Sequence, residues 1–169
     1  MAIKPNNYKK ILVLHGGFEA GDSALAHGIN LAKLSNGSVT ILHVVNIPKY
    51  PMESISNKLE RIELQKKLQD TAFHMKKTME QEFQKKIKKY NKNKVKTSLV
   101  VLIGPTLQKV LEYEKKNNFN LIVMGKSKGS RSVESRSVVG GLTIKLLEQL
   151  RCPTLMLDVP VSAKFIGSR

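Results

Sequence analysis

The densest group of residues suited to chemistry lies between Gly125 and Thr143. Gly125, Gly129, Gly140 and Gly141 punctuate a segment that carries Lys126, Lys128, Arg131 and Arg136 against a single acid, Glu134. Glycine lets a backbone approach a phosphate closely, and N–H groups at a helix start point toward an anion. The cations would add charge-assisted hydrogen bonds, and Ser127, Ser130, Ser132, Ser135 and Ser137 would add hydroxyl donors. Such a segment is equipped for an anion, although the same glycines would serve equally as turns in a solvated connection.

Other chemistries find less support. There is no Walker A lysine signature and no G-x-G-x-x-G dinucleotide fingerprint. His15, His27, His43 and His74 are not at zinc spacing, and Cys152 is the only cysteine. His43 falls inside an apolar run and reads as a packed or hydrogen-bonded residue. His15 follows the first apolar run directly, with no orienting partner visible in the sequence, so no catalytic residue is assigned and turnover is not expected.

The elements that would position these residues alternate along the chain. Lys10–Leu14 reads as a buried strand ended by Gly16 and Gly17, after which Asp22 or Ser23 would cap a helix running to about Ser35. Val39–Val45, rich in β-branched residues, is a second strand. Leu99–Ile103 is a third, closed by Gly104 and by Pro105, which suits the first turn of the next helix. Leu121–Met124 is a fourth strand ending at Gly125; Gly140 and Gly141 precede a helix bearing Ile144, Leu147 and Leu150, and Thr154–Leu157 is the fifth strand. Unbroken apolar strands separated by helices imply a parallel α/β sheet covered on both faces. Ligands in such open sheets sit beyond the carboxyl ends of the strands, where strand order reverses. That points to the segments after the first and fourth strands.

The stretch after Pro48 and Pro51 is long and charged. Leu64, Leu68, Ala72, Met75, Met79, Phe83, Ile87 and Tyr90 recur at steps of three or four, one apolar helical stripe expected to pack into the core. Ile55, Leu59 and Ile62 follow the same rule in a shifted phase, which predicts either two helices or one with an irregularity near Ile62.

Bulk properties set the outer limits. With 169 residues the chain reads as one domain at 8–158, flanked by a leader at 1–7 and a tail at 159–169. No apolar run reaches the roughly 20 residues of a membrane span, and neither a secretory h-region nor a second cysteine is present. These features predict a cytoplasmic protein. The net charge is +16, and residues 58–96 hold 13 basic against 5 acidic side chains. Such a field attracts polyanions. No aromatic residues alternate with these lysines as a stacking platform would require, so a solvated helix face is favoured over nucleic-acid binding, which stays an alternative.

Lys10-Ile11-Leu12-Val13, Glu19-Ala20, Ala24-Leu25, Leu31-Ala32-Lys33-Leu34 and Thr40-Ile41-Leu42-His43-Val44 resemble the opening half of a universal stress protein. Asn120-Leu121-Ile122-Val123-Met124-Gly125 and Arg151-Cys152-Pro153-Thr154-Leu155-Met156-Leu157 resemble its closing half. The resemblance implies a five-stranded sheet of order 3-2-1-4-5, of the adenine nucleotide alpha-hydrolase type, and a stress-response role. It also implies a homodimer joined through the last strand, Thr154 to Asp158. Some members of the family bind ATP, with magnesium as the nucleotide's companion. Carried over, the site would comprise Leu14, His15, Gly16, Val44, Met124, Gly125, Lys128, Gly129, Arg131, Gly140, Gly141 and Thr143. Three departures stand out. The family's aspartate position falls on Gly16, the phosphate loop reads G-x3-G-x10-G-G rather than G-x2-G-x9-G-[ST], and Gly141 takes the hydroxyl position, with Thr143 two residues on. The cations of the loop would favour phosphate recognition over base recognition. An ATP-using enzyme of a related fold is a further alternative, since His15-Gly16-Gly17 and Asp22-Ser23 faintly match the S-G-G-x-D-S loop of ATP pyrophosphatases.

Overall fold

The computed structural model of the chain describes residues 8–47, 52–126 and 140–157. The order is β1 (Lys10–Leu14), α1 (Glu19–Leu34), β2 (Ser38–Val45), a single 3-10 turn (Met52–Ser54), α2 (Lys58–Tyr90), β3 (Lys96–Ile103), α3 (Thr106–Asn117), β4 (Leu121–Gly125), α4 (Gly141–Gln149) and β5 (Thr154–Leu157). All the strand pairs are parallel, in the order β3-β2-β1-β4-β5.

The alternation of side chains along each strand divides the core in two. Ile11 and Val13 of β1, Val39 and Ile41 of β2, and Leu121 and Val123 of β4 face α1 and α2, meeting Leu25, Ile29, Phe83 and Ile87. Leu12, Leu14, Leu42, Ile122 and Met124 face the other way, against Val110 of α3 and Leu146 of α4. Burying both faces of β1 and β4 is why these strands read as continuous apolar runs.

Several boundaries differ from the sequence expectation. Helix α1 begins at Glu19, with Phe18 as its N-cap and no capping side chain. Asp22 lies within the first turn rather than at the cap, and its carboxylate is engaged by His15 and Lys86. β2 starts one residue earlier than expected, and β3 begins at Lys96 rather than Leu99. Those first residues of β3 are polar and largely exposed, as suits a strand that pairs only with β2 among the described residues. Pro105 stands at the N-cap of α3, just before the first turn.

The charged stretch is one helix of 33 residues, capped by the Asn57 side chain, which accepts from the Leu59 N–H at 2.9 Å. Only part of the expected stripe reaches the core. Phe83 and Ile87 are buried and Met79 packs beside them, whereas Met75 is 46% exposed. Leu59 and Ile62 stand 70% and 53% exposed, so their shifted phase marks a solvent-facing half rather than a second helix. The reason is length: α2 runs about 50 Å, while the eight residues of β3 that it crosses span about 26 Å.

Candidate functional site

Strand order reverses between β1, which turns to β2 on one side, and β4, which leads to β5 on the other. A cleft of about 430 Å³ opens there, beyond the carboxyl ends of both strands, as expected for an open α/β sheet. Leu14, Val44 and Met124 from the strand ends, with Val110, Leu142 and Leu146 from α3 and α4, give it a mainly apolar lining. Polar groups enter at the rim from Asn46, Thr106 and Lys126. The volume falls in the range of small-ligand pockets.

Of the residues expected from the sequence, Leu14, His15, Gly16, Val44, Met124, Gly125 and Thr143 line the cleft together. Gly140 and Gly141 stand at its side as the N-cap and first residue of α4, whose next residues Leu142 and Thr143 reach the lining. Lys128, Gly129 and Arg131 lie outside the described residues. Lys126, one of the loop cations expected to meet an anion, also lines the cleft. Phe18, Asn46, Thr106 and Val110 went unrecognised. None belongs to a strand, and only the exposed aromatic Phe18, one residue before a helix, offered a signal in the sequence.

Gly125 has a packing reason to be glycine. A Cβ there would come within 2.4 Å of the Ala20 backbone, so its absence lets α1 settle onto the end of β4. Gly17 adopts φ +91°, a left-handed conformation that lets the chain leave β1 and turn into α1.

Behind the cleft lies a partly buried polar floor. The Gly17 N–H donates to His15 Nδ1 at 3.0 Å, which fixes the proton on Nε2, and that N–H donates to Asp22 Oδ1 at 2.8 Å. Lys86 Nζ donates to the same carboxylate oxygen at 2.6 Å, tying α2 to α1. His43 Nδ1–H donates to the His15 carbonyl at 2.7 Å. The Phe83 ring meets His15 edge-on at 4.6 Å and His43 at 5.0 Å between centroids. Burial pushes the His15 imidazole down to about 4, outweighing the opposing pull of Asp22. Burial alone would raise the Asp22 carboxyl, but the hydrogen bonds from Lys86 and His15 hold it below its ordinary value.

His15 thus has the orienting partner that the sequence did not reveal. Yet both ring nitrogens are occupied and its side chain has no solvent exposure. It stays neutral and supports the cleft from beneath; a proton shuttle would need an open nitrogen. Among the described residues no three His, Cys, Asp or Glu side chains come together to hold a metal ion. No described helix is long and apolar enough to cross a membrane.

Comparison with known proteins agrees with this geometry. The model of the universal stress protein family matches residues 7–158. A universal stress protein of Methanocaldococcus jannaschii is 28% identical over 156 residues, covering 92% of this chain and 85% of the relative. Among solved structures, the universal stress protein UspA from Lactobacillus plantarum superposes with a TM-score of 0.64 at 22% identity, covering 89% of this chain and 97% of that one. A universal stress protein in complex with cAMP superposes with a TM-score of 0.54 at 14% identity, covering 89% and 96% of the two chains.

Proposed function

The chain belongs to the universal stress protein family, and from that premise we propose that it acts in stress response as a homodimer that holds a nucleotide in the cleft between β1 and β4 without turning it over. The observation that carries this reading is the position and lining of the cleft: apolar walls at the strand-order reversal, beside the N-terminus of α4. Leu14, Val44, Met124 and Val110 suit the faces of a base. Phosphates would turn toward the amide end of α4 at Gly140 and Gly141, where the helix has no capping side chain, and toward the positive charge of Lys126. A related protein solved with cAMP supports a nucleotide as the ligand class, and ATP is the larger candidate.

Recognition of the base would rest on shape rather than on an acidic acceptor. Position 16 carries no side chain, and the Phe18 ring lies 3.5 Å from where a Cβ there would be. Phe18 is 72% exposed at the mouth of the cleft and offers a planar surface to an entering ring.

Dimerisation would use β5, which pairs with β4 on one side and, among the described residues, has no strand on its other edge, with Leu155 36% exposed. A second copy would satisfy that edge. The reading places the protein in the cytoplasm. Native mass spectrometry of the protein as isolated tests these points together. The expected species is twice the 18.9 kDa chain mass with retained nucleotide. A monomer at micromolar concentration that carries no nucleotide and takes up neither ATP nor cAMP would overturn the proposal.

A further inference from the structure

A second cleft, of about 480 Å³, opens at the opposite end of the sheet, where the strands begin. Lys9, Lys33, Lys94 and Lys96 line it, together with the turns that lead into β2 and β3, and among the described residues no carboxylate does. Strands of five to eight residues put this cleft about 17–26 Å from the one at the strand ends. The two are separate features.

Topology gathers these cations from distant parts of the chain. Lys10, Ser38 and Lys96 stand in register across β1, β2 and β3, which sets Lys10 and Lys96 about 10 Å apart. The turns into β2 and β3 contribute no acid, and both contain a residue in the left-handed conformation, Asn36 at φ 50° and Lys94 at φ 53°. Lys33 Nζ donates to Asn93 Oδ1 at 3.1 Å, joining the end of α1 to the second turn.

Helix ends explain only part of this charge. Lys33, like Lys88 and Lys89 of α2, sits in a last turn, where carbonyl groups attract a cation. Lys9, Lys94 and Lys96 belong to no helix, and none of them has an ion-pair partner among the described residues. All four lysines of the cleft are exposed. Among the described residues no aromatic side chain lines it, so stacking and base reading find no support there. What remains is a row of exposed ammonium groups with no acid among its described lining, in a chain of net charge +16, the chemistry that meets a phosphate backbone irrespective of sequence.

We propose that this end of the sheet, centred on Lys9, Lys33, Lys94 and Lys96, binds the phosphodiester backbone of nucleic acid without sequence preference. The charged length of α2 fits this role less well, since Glu60, Glu63, Asp70, Glu80 and Glu82 are spread among its cations.

Fluorescence anisotropy with a short labelled duplex of random sequence, between about 50 and 200 mM salt, tests the proposal. About four phosphate contacts give a slope of log affinity against log salt of roughly −3.6. The combined variant Lys9→Gln, Lys33→Gln, Lys94→Gln and Lys96→Gln should lose about one unit of slope for each lysine removed, and more than about tenfold in affinity at the low-salt end. An equal loss of charge on α2 (Lys58→Gln, Lys66→Gln, Lys67→Gln, Lys77→Gln) should leave the slope near that of the unaltered protein. Thermal unfolding confirms that both variants are folded. Three results would overturn the inference: no binding at the low-salt end, equal losses in the two variants, or displacement of the duplex by inorganic polyphosphate at far lower phosphate concentration than by unlabelled duplex.

Discussion

At the carboxyl ends of β1 and β4 the groups around the cleft are held from behind, whereas at the opposite end the cations stand in solvent. His15, Asp22, Lys86, His43 and Phe83 form a connected floor drawn from α1, β2, α2 and the turn after β1. Lys9, Lys33, Lys94 and Lys96 have one side-chain hydrogen bond among them. Chain direction accounts for much of the contrast. Parallel strands and returning helices put helix N-termini at one end, where amide groups supply positive potential without side chains. They put helix carbonyls at the other, where any positive potential must come from lysine. One end can be preorganised and apolar; the other can attract an anion only with exposed, mobile charge.

The contrast would break most visibly at Phe83, buried to 1% and in contact with both histidines. Phe83→Ala should cost about 4 kcal/mol in urea unfolding. A loss below about 1 kcal/mol would mean that the floor is not held from α2.

Acid should then expose the neutral state of His15. Its folded value of about 4 lies below the 6.5 of a free imidazole, so in that window the unfolded chain binds a proton that the folded chain refuses. Stability should therefore fall as pH drops from 6.5 toward 4, by up to about 3 kcal/mol. Asp22, held below its ordinary value, keeps its own contribution until more acidic pH. Denaturant titrations across this range should show the loss, and His15→Gln should flatten it.

A smaller effect is expected at the lysine end, where the chain packs tightly at Gly37. A Cβ on Gly37 would meet the backbone of Tyr8 and Lys9 at 2.7–2.9 Å. Gly37→Ala should cost about 2 kcal/mol by thermal or urea unfolding. Lys94→Gln, by contrast, should change stability by no more than about 0.5 kcal/mol, since its side chain is exposed and supports nothing.

Sequence alone made most of the frame legible. The runs Ile11–Leu14 and Leu121–Met124 are apolar because both faces are covered, and that signal is local. It located the cleft as well, since a parallel order fixes which strand ends lie together. The floor beneath was hidden because its contacts are long-range: Lys86 meets Asp22 across 64 positions, and nothing near Asp22 announces a partner on α2. Asp22 looked like a helix cap for the same reason. Leu59 and Ile62 obey helical periodicity yet face solvent, because periodicity records a helix face and not the extent of the sheet beneath it. Phe18 and Asn46 lie in connections between elements, where no period exists to mark them.

Titration calorimetry with ATP and with cAMP, on the unaltered protein and on Val44→Trp, tests the proposed nucleotide binding in the cleft between β1 and β4 most directly. Val44 lines that cleft, and an indole in its place would fill the space assigned to the base. The account predicts saturable binding of at least one nucleotide by the unaltered protein and its loss in the variant, with the unfolding transition retained. No binding to the unaltered protein, or undiminished binding to a folded Val44→Trp, would contradict it.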